Sequence, residues 1–264
     1  MNRFDVKFTA LKSRNETALV GFVSAGDPNY DTSLAIIDAM ATAGLDVLEL
    51  GIPFSDPTAD GPMIQRSSQR AIEAGMSLSR AMDMVAAIRA KHADLPIVLF
   101  SYYNPILAMG QTEFYARATA AGADGALIVD LPPEEAPELT SQFAGPFPLI
   151  HLVAPTTSPE RQKQILASAG AFVYLISRTG VTGSGEIDVS SIGGHVAEIR
   201  EATTTPVCVG FGISTPDHVR AIGDAADGVV IGSAFERIIE DNLDAADLPE
   251  QLAAYVRELK AACK

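Results

Sequence analysis

The sequence is poor in cysteine. Its 264 residues include two cysteines, Cys208 and Cys263, and neither lies at a Cys-x-x-Cys or Cys/His spacing. A disulfide framework requires several cysteines that can pair, and a structural zinc site requires about four closely spaced Cys or His ligands. We therefore expect no disulfide framework and no metal site, and we interpret the two residues as a core thiol and a thiol near the tail.

Basic residues are also scarce. Nineteen lysines and arginines stand against 33 aspartates and glutamates, and the formal net charge is −14. Proteins that bind nucleic acid carry basic patches that attract the phosphate backbone. We therefore predict no nucleic-acid partner. A small anionic substrate is still compatible with this charge, because helix N-termini and glycine-rich turns bind phosphate through backbone N–H groups.

Long apolar runs are missing as well. The longest extend over about five to eight residues, whereas a membrane helix needs roughly 20. Residues 1–14 mix charges with Phe4, Phe8 and Leu11, a pattern without the apolar region and cleavage site of a signal peptide. These features predict a cytoplasmic protein with no membrane partner.

Short runs of β-branched or aliphatic residues recur along the chain, with helical stretches between them. Most of these runs are apolar on both faces, as expected for parallel strands that are covered on both sides. Eight runs are predicted strands: residues 19–24, 47–51, 97–101, 125–129, 149–153, 172–176, 207–210 and 228–231.

This alternation predicts an α/β fold, a (β/α)8 TIM barrel that forms a single domain over residues 1–264, since ~250 residues is typical of such barrels. We expect an extra N-terminal helix over 5–14 at the barrel bottom, a short phosphate-binding helix over 235–240 after strand eight, and a closing helix over 249–262. A doubly wound open sheet is the alternative. No Gly-x-Gly-x-x-Gly motif follows the first strand, and eight strands favour closure.

Helix boundaries are predicted from periodicity and from capping residues. Apolar spacing of three to four residues predicts helices over 33–43 and 82–90. Three residues occupy expected N-cap positions: Asp31, Ser158 and Thr215. Three glycines occupy positions expected just after a helix C-terminus: Gly44, Gly122 and Gly170.

Two carboxyl residues are associated with strand two. Functional residues of such barrels lie at the C-terminal ends of the strands. Glu49 interrupts the apolar run of strand two, where a buried carboxylate is costly unless it has a partner or a function. Asp60 ends the proline-stiffened loop after that strand. A salt-bridged glutamate and a turn aspartate are the structural alternatives. Together the residues predict a proton-transfer pair at the barrel mouth.

Glycine-rich segments follow the last strands. Residues 210–214 follow strand seven, and 232–234 follow strand eight and lead into the short helix. Barrels often bind phosphate at these loops, where glycines permit close approach and a helix N-terminus supplies partial positive charge. We predict a phosphate site here, with ordinary tight turns as the alternative. The polar, glycine-rich loop 177–185 has the composition of a mobile lid or of a connection without a role.

Four segments resemble the signature segments of the tryptophan synthase alpha subunit family. They are residues 48–57 (LELGIPFSDP), 59–65 (ADGPMIQ), 177–183 (SRTGVTG) and 210–214 (GFGIS). The resemblance covers nearly the whole chain and implies a lyase of L-tryptophan biosynthesis, which cleaves indole-3-glycerol phosphate to indole and glyceraldehyde 3-phosphate by a retro-aldol reaction. It further implies that Glu49 is the general acid/base at the glycerol hydroxyl and indole C3, and that Asp60 receives or stabilises the indole N–H proton.

The resemblance also implies the substrate-binding residues. The apolar walls for the indole ring are Phe22, Phe100, Leu127 and Phe211. Tyr174, Thr182 and Gly183 contact the site, while Gly212, Gly232 and Ser233 hold the phosphate. The chain departs from the family in two places: at Phe100, where an aliphatic residue is frequent, and at 184–186, where a more basic stretch is expected.

The family resemblance implies a partner as well. The expected assembly is an αββα heterotetramer with a beta subunit that carries pyridoxal phosphate, whereas this chain needs no cofactor of its own. Loop two, with Pro53 and Asp56, and the loop after strand six are expected at the beta interface. Two alternatives remain: a chain that mainly activates the beta subunit while its own turnover is low, and a sister phosphate-binding barrel of the same pathway. The sister barrel usually requires a catalytic lysine at the end of a strand, or a Cys/Asp pair.

Overall fold

The protein is a closed barrel of eight parallel strands surrounded by helices. The computed structural model describes residues 2–177 and 189–264. Each strand pairs in parallel with its sequence neighbours, and β1 closes the barrel against β8. The strands are β1 (Ala18–Ser24), β2 (Val47–Gly51), β3 (Ile97–Ser101), β4 (Gly125–Ile128), β5 (Leu149–Val153), β6 (Val173–Ile176), β7 (Val207–Gly210) and β8 (Gly228–Ile231). The predicted (β/α)8 TIM barrel is therefore confirmed.

The helices lie around this barrel. Those in the described ranges are α1 (Arg3–Ser13), α2 (Tyr30–Thr42), α3 (Pro62–Glu73), α4 (Leu78–Lys91), α5 (Tyr103–Met109), α6 (Gln111–Ala121), α7 (Ala136–Thr140), α8 (Pro159–Ala167), α9 (Val189–Ala202), α10 (Pro216–Gly223), α11 (Ser233–Asp241) and α12 (Leu248–Ala261). No helix in residues 2–177 and 189–264 has both the length and the apolar composition needed to cross a membrane.

Apolar residues form two layers, one inside the barrel and one between the strands and the outer helices. The N-terminal helix α1 belongs to the inner layer. The rings of Phe4 and Phe8 each lie 6.1 Å from the ring of Phe172, which precedes β6. Burial of these rings covers the bottom of the barrel, as predicted, and leaves the opposite end, at the strand C-termini, for the functional residues.

Aspartates fix the register of neighbouring strands. Each immediately precedes a strand and accepts a hydrogen bond from a backbone N–H of the strand before it. The three bonds are Leu19 N–H to Asp46 (2.9 Å), Ile97 N–H to Asp124 (2.8 Å) and Val207 N–H to Asp227 (2.9 Å). A hydrogen bond to a charged acceptor contributes roughly 1.5–3 kcal/mol. These contacts lie at the N-terminal ends of the strands. By fixing the register of each strand pair, they also set the relative heights of the strand C-termini at the opposite end.

Two of the three predicted N-caps are confirmed. Ser158 and Thr215 accept the N–H groups of Arg161 and His218 at the starts of α8 and α10. The prediction for Asp31 is wrong, because the Asn29 side chain accepts the Thr32 N–H at 3.0 Å and caps α2. Asp31 lies inside the first turn, where its negative charge still faces the positive helix end.

Two of the three predicted C-terminal glycines are confirmed as well. Gly44 and Gly122 have φ values of +112° and +94° at the ends of α2 and α6, which confirms their predicted role. Gly170 does not have this role, since α8 ends at Ala167 and the positive φ belongs to Ala171. A Cβ on Gly170 would lie 2.6 Å from the Pro148 Cβ. Close packing therefore requires glycine at this position.

Candidate active site

Glu49 lies inside the barrel on β2. Its sequence neighbours Leu48 and Leu50 pack in the outer layer, and the alternation of a strand therefore directs Glu49 to the interior. Glu49 is 1% exposed, and its Oε1 atom has no hydrogen-bond partner among the described residues. Desolvation raises the pKa of Glu49 from its ordinary 4.5 to about 8. The group is therefore mostly protonated at neutral pH, as a general acid requires.

Two residues from the other side of the barrel lie near Glu49. The charge of Glu49 contributes to the raised pKa values of Tyr174 on β6 and Cys208 on β7, although burial is the larger cause for both. Both side chains are therefore neutral at physiological pH. Since neither can compensate an ionised Glu49, the surroundings of this carboxyl favour its protonated form.

Asp60 lies in the loop between β2 and α3. Its backbone is fixed by hydrogen bonds from Asp60 N–H to the Pro57 carbonyl (3.0 Å) and from the Gln65 side chain to the Asp60 carbonyl (2.8 Å). Burial raises the pKa of the Asp60 carboxyl to about 6, although a hydrogen bond with Tyr102 acts in the opposite direction. Asp60 is consequently mostly ionised at neutral pH, unlike Glu49.

Tyr102 lies in the candidate site, in a loop after a strand where functional residues are expected, but no role was predicted for it from the sequence. It follows β3 directly, and its hydroxyl accepts the Ala59 N–H at 2.9 Å and forms a hydrogen bond with Asp60. Its ring lies 5.4 Å from the ring of Phe54 in the same loop as Asp60. The position at a strand C-terminus was the available signal, but the sequence could not show that the loop after β2 folds over this tyrosine.

Three of the predicted wall residues, together with Tyr174, form two aromatic pairs. Phe22 and Phe100 contact edge to face with ring centroids 5.1 Å apart, while Tyr174 and Phe211 lie 6.0 Å apart. Leu127 is the register partner of Phe100 on β4 and is fully buried in the inner layer. The structure thus brings the predicted wall residues to the interior and mouth of the barrel, on the same side as Glu49.

The glycines around Phe22 explain how this ring fits. A Cβ added to Gly51 would lie 2.5 Å from the tip of the Phe22 ring, and one added to Gly232 would lie 3.4 Å from the Phe22 Cβ. Any side chain at Gly51 would therefore displace the ring. Small residues at the ends of β2 and β8 leave room for an aromatic side chain beside Glu49.

The segment after β7 has an unusual backbone. Phe211 and Gly212 have successive φ values of +78° and +79°, a conformation that is uncommon for a phenylalanine. Phe211 is also 41% exposed, unlike most aromatic residues of the described chain. This conformation directs an apolar ring to the barrel mouth, where an aromatic ligand could cover it.

The predicted phosphate-binding residues lie at adjacent strand ends. Gly210 and Val230 are register partners, and Gly212 and Gly232 each follow two residues later. Helix α11 begins at Ser233, after the N-cap Gly232, and no side chain caps its first N–H groups. A short helix N-terminus without a side-chain cap, next to a glycine turn, provides backbone donors for an anion.

Two predicted residues, Thr182 and Gly183, lie outside the described ranges, as does the predicted lid beyond Ser177. Within residues 2–177 and 189–264, no cluster of His, Cys, Asp or Glu side chains has an arrangement suited to a metal ion. At the barrel mouth the described residues thus include two carboxyls of different pKa, aromatic side chains, and glycine turns beside an uncapped helix N-terminus.

Comparisons with known proteins match nearly the whole chain to one family. A family model described as tryptophan synthase alpha chain matches residues 8–264. The tryptophan synthase alpha chain of Desulfatibacillum aliphaticivorans is 57% identical over 258 residues, which cover 97% of each chain. That of Desulfosudis oleivorans is 56% identical over 265 residues and the full length of both chains.

A solved structure shows the same fold at lower identity. Tryptophan synthase subunit alpha from Legionella pneumophila superimposes with a TM-score of 0.91 and 33% identity, over 100% of this chain and 98% of that one. Sequence and structure comparisons therefore agree over the full length. The chain belongs to the tryptophan synthase alpha chain family, whose lyase reaction is a step of tryptophan biosynthesis.

Proposed function

We propose that Glu49 and Asp60 transfer the protons in cleavage of indole-3-glycerol phosphate to indole and glyceraldehyde 3-phosphate. The observation that carries this assignment is the difference between the two pKa values, about 8 for Glu49 and about 6 for Asp60. Near pH 7 one carboxyl is an acid and the other a base. Environments that separate the pKa values of two groups in this way define acid and base roles.

The reaction needs both groups at once. The neutral Glu49 donates its proton to indole C3, and the Asp60 carboxylate accepts the proton from the ring nitrogen, which gives the 3H-indole tautomer. Cleavage of the bond between C3 and the hydroxyl-bearing carbon then returns both protons. The hydroxyl proton goes to the ionised Glu49, the bonding electrons pass through the ring to nitrogen, and Asp60 protonates this nitrogen. Both residues end in their starting states.

The wall residues and the glycines provide binding positions for the rest of the substrate. The indole ring lies against Phe22, Phe100 and Leu127, with Tyr174 and Phe211 on the opposite side. Gly212, Gly232 and Ser233 bind the phosphate through backbone N–H groups and a hydroxyl at the start of α11. By family resemblance, Thr182 and Gly183 also contact the substrate.

The lysines argue against a sister barrel that uses a strand-end lysine. Lys7 and Lys12 lie in α1, Lys91 ends α4, Lys163 lies in α8, and Lys260 lies in α12 before the terminal Lys264. The chain has no further lysine, and none of these follows a strand. A chemistry that requires a lysine amine at the barrel mouth has no candidate residue here.

The proposed partner is a beta subunit in an αββα assembly in the cytoplasm, and pyridoxal phosphate belongs to that subunit. The Legionella relative is itself named a subunit, which supports an assembly. Asp56 in the loop after β2 is exposed and accessible to a partner, whereas Pro53 is buried. If Pro53 contributes to such an interface, it does so by shaping the loop.

Indole release by the purified chain tests the assignment of the carboxyls. Wild type, Glu49→Gln and Asp60→Asn are compared at pH 7, with and without a beta subunit. Each substitution should reduce turnover by about 10² to 10⁴, the usual contribution of general acid–base catalysis. If both variants keep more than a tenth of wild-type turnover, the carboxyls are not the proton-transfer groups. Negligible wild-type turnover in both conditions would leave the chain as an allosteric partner only.

A further inference from the structure

A second buried carboxyl lies next to the proposed phosphate site. Glu236 is in the first turn of α11, three residues after Ser233, and none of its surface is exposed. It is one of two residues with a buried side-chain oxygen that lacks a hydrogen-bond partner among the described residues, the other being Glu49. An unsatisfied buried carboxyl oxygen is costly, so its surroundings should provide a partner.

The contacts of Glu236 determine its protonation state. Its Oε1 atom accepts the Ser24 N–H at 2.6 Å, whereas Oε2 is the atom without a donor. The neighbouring Asp27 carboxyl binds both Nε and Nη2 of Arg70, each at 2.8 Å. Such a two-point, charge-assisted contact with arginine uses both oxygens of the Asp27 carboxyl. Glu236 and Asp27 interact as a carboxyl pair, and a hydrogen bond between two carboxyls requires a proton. Because Glu236 is fully buried and has no arginine contact among the described residues, we assign this proton to Glu236.

The charged groups around Glu236 come from several elements. Asp27 follows β1, Arg70 and Arg66 lie on α3, and Glu240 lies one turn further along α11. Both arginines bind Glu240, Arg70 at 2.8 Å and Arg66 at 2.7 Å. From α12, the ring of Tyr255 packs on Phe235 beside Glu236. The arginines are thus engaged by Asp27 and Glu240, and within the described ranges neither forms an ion pair with Glu236.

We propose that Glu236 is a positioning residue for the phosphate subsite, and that its neutral form keeps the positive end of α11 free for the substrate phosphate. An ionised carboxylate in the first turn would compete with the phosphate for the backbone N–H dipoles and would repel both the phosphate and Asp27. The proton shared with Asp27 prevents this. The inference rests on the proposed phosphate position at the start of α11.

The proposal predicts pH-dependent phosphate affinity. Burial and the charge of Asp27 raise the pKa of Glu236 to about 8, despite the opposing hydrogen bond from Ser24. Glu236 is mostly neutral at pH 7 and ionised at pH 9.5. A phosphate monoester is close to fully charged throughout this range, because its second pKa is about 6. A loss of phosphate affinity above pH 8 therefore arises from titration of the protein and not from titration of the phosphate.

Glu49 titrates in the same range, so the experiment uses Glu49→Gln as its background. The dissociation constant of glycerol 3-phosphate is measured by calorimetry from pH 7 to 9.5 in Glu49→Gln and in Glu49→Gln/Glu236→Gln. Glutamine can accept the Ser24 N–H and donate to Asp27 without titrating. We expect similar affinities at pH 7. By pH 9.5 the single variant, which keeps Glu236, should lose about 5- to 30-fold in affinity, and the double variant should show no such loss.

Proton uptake provides a second measurement that a purely structural role would not change. If phosphate favours neutral Glu236, binding at pH 8.5 must raise the fraction of protonated Glu236, by linkage. The heat of binding should then depend on the ionisation enthalpy of the buffer in the Glu49→Gln protein and not in the double variant. Equal pH dependence and equal proton uptake in the two proteins would overturn the proposal.

A Ser233→Asp variant distinguishes failure of this inference from failure of the phosphate assignment. An acidic residue suits a helix start, so the fold is preserved, but its charge occupies the proposed anion site. Loss of glycerol 3-phosphate affinity in Ser233→Asp, together with no effect of Glu236→Gln on the pH profile, would retain the phosphate site and overturn the role of Glu236. Unchanged affinity in Ser233→Asp would overturn both.

Discussion

Tyr102 and Asp60 are joined by a hydrogen bond, although they belong to different βα units of the barrel. The tyrosine follows β3, and the aspartate lies in the loop after β2. The same hydroxyl also accepts the Ala59 N–H at 2.9 Å. One side chain therefore both holds the loop against the barrel and favours the ionised form of Asp60.

Removal of this hydroxyl should shift the acid limb of the pH profile. In Tyr102→Phe, Asp60 loses the hydrogen bond that lowers its pKa, while burial continues to raise it. Asp60 then becomes protonated at a higher pH than in wild type. We expect turnover at pH 6 to fall several-fold more than turnover at pH 8, as measured by indole release across this range.

Tyr103→Phe is a matched control for that substitution. The Tyr103 hydroxyl accepts a hydrogen bond from the Gln111 side chain and not from the Asp60 loop. Its loss should leave the acid limb unchanged. Parallel profiles for Tyr102→Phe and wild type, or an equal shift in both variants, would show that the hydroxyl of Tyr102 does not set the pKa of Asp60.

The complete pH profile tests the order of the two pKa values. In the proposed reaction, Glu49 is protonated and Asp60 is ionised at the start. Protonation of Asp60 near pH 6 and ionisation of Glu49 near pH 8 should each reduce kcat/KM. A bell-shaped profile with its maximum between these values is expected. A profile that continues to rise above pH 9 would show that neutral Glu49 is not required.

Glu49→Gln should make the protein more stable in alkali as well as less active. The folded-state pKa of Glu49 lies above its ordinary 4.5, so the folded protein binds this proton more tightly than the unfolded chain does. The contribution of Glu49 is favourable below pH 4.5 and is lost as pH rises toward 8, at about 1.4 kcal/mol per pKa unit of difference. Glutamine cannot titrate and removes this loss.

Thermal melts of wild type and Glu49→Gln between pH 5 and pH 9 measure this effect. The Tm of wild type should fall relative to that of the variant across the range. Identical Tm differences at pH 5 and pH 9 would mean that Glu49 is ionised in the folded protein at neutral pH. Its role as the initial acid would then be wrong.

The strands could be predicted from the sequence because their apolar runs record burial on both faces. All eight form within one residue of the predicted bounds. Helix starts were less accurate. The helix predicted over 33–43 begins at Tyr30, and that over 82–90 begins at Leu78. Apolar periodicity marks the buried face of a helix, whereas its first turn depends on caps such as Asn29 and Ser77.

The candidate site residues also differ in whether the sequence could predict them. Glu49 could be predicted because a carboxyl within an apolar strand has few structural explanations. The proposed roles of Tyr102 and Glu236 could not, because each depends on contacts between segments distant in sequence. The bond from Ser24 N–H to Glu236 spans 212 residues, and no local pattern records such a contact. A glutamate on a short amphipathic helix is an ordinary surface residue by sequence alone.

A beta subunit should accelerate cleavage by this chain. A partner that binds the closed form of the site better than the open form shifts the population toward it, by no more than the difference in affinity. Couplings of ~1–3 kcal/mol correspond to about 5- to 150-fold. We expect indole release to increase within that range at saturating beta subunit. Asp56 is an exposed loop residue, and the Asp56→Lys variant should require a higher concentration of beta subunit for the same increase. Equal turnover with and without the partner would make the chain a self-sufficient lyase.

Gly212→Val should weaken phosphate binding far more than indole binding. Gly212 has a φ of +79°, so valine adds strain of about 1–3 kcal/mol as well as a side chain between the backbone donors and the phosphate.

Gly110→Val separates the two effects, because Gly110 has a φ of +95° and a Cβ there would meet no atom within 4 Å. Both variants should lose similar stability in thermal melts. Only Gly212→Val should raise KM for indole-3-glycerol phosphate, by at least about tenfold if a single charge-assisted hydrogen bond is lost, while indole affinity changes little. An equal rise of KM in the two variants would assign the effect to strain, and the phosphate would then bind elsewhere in the barrel mouth.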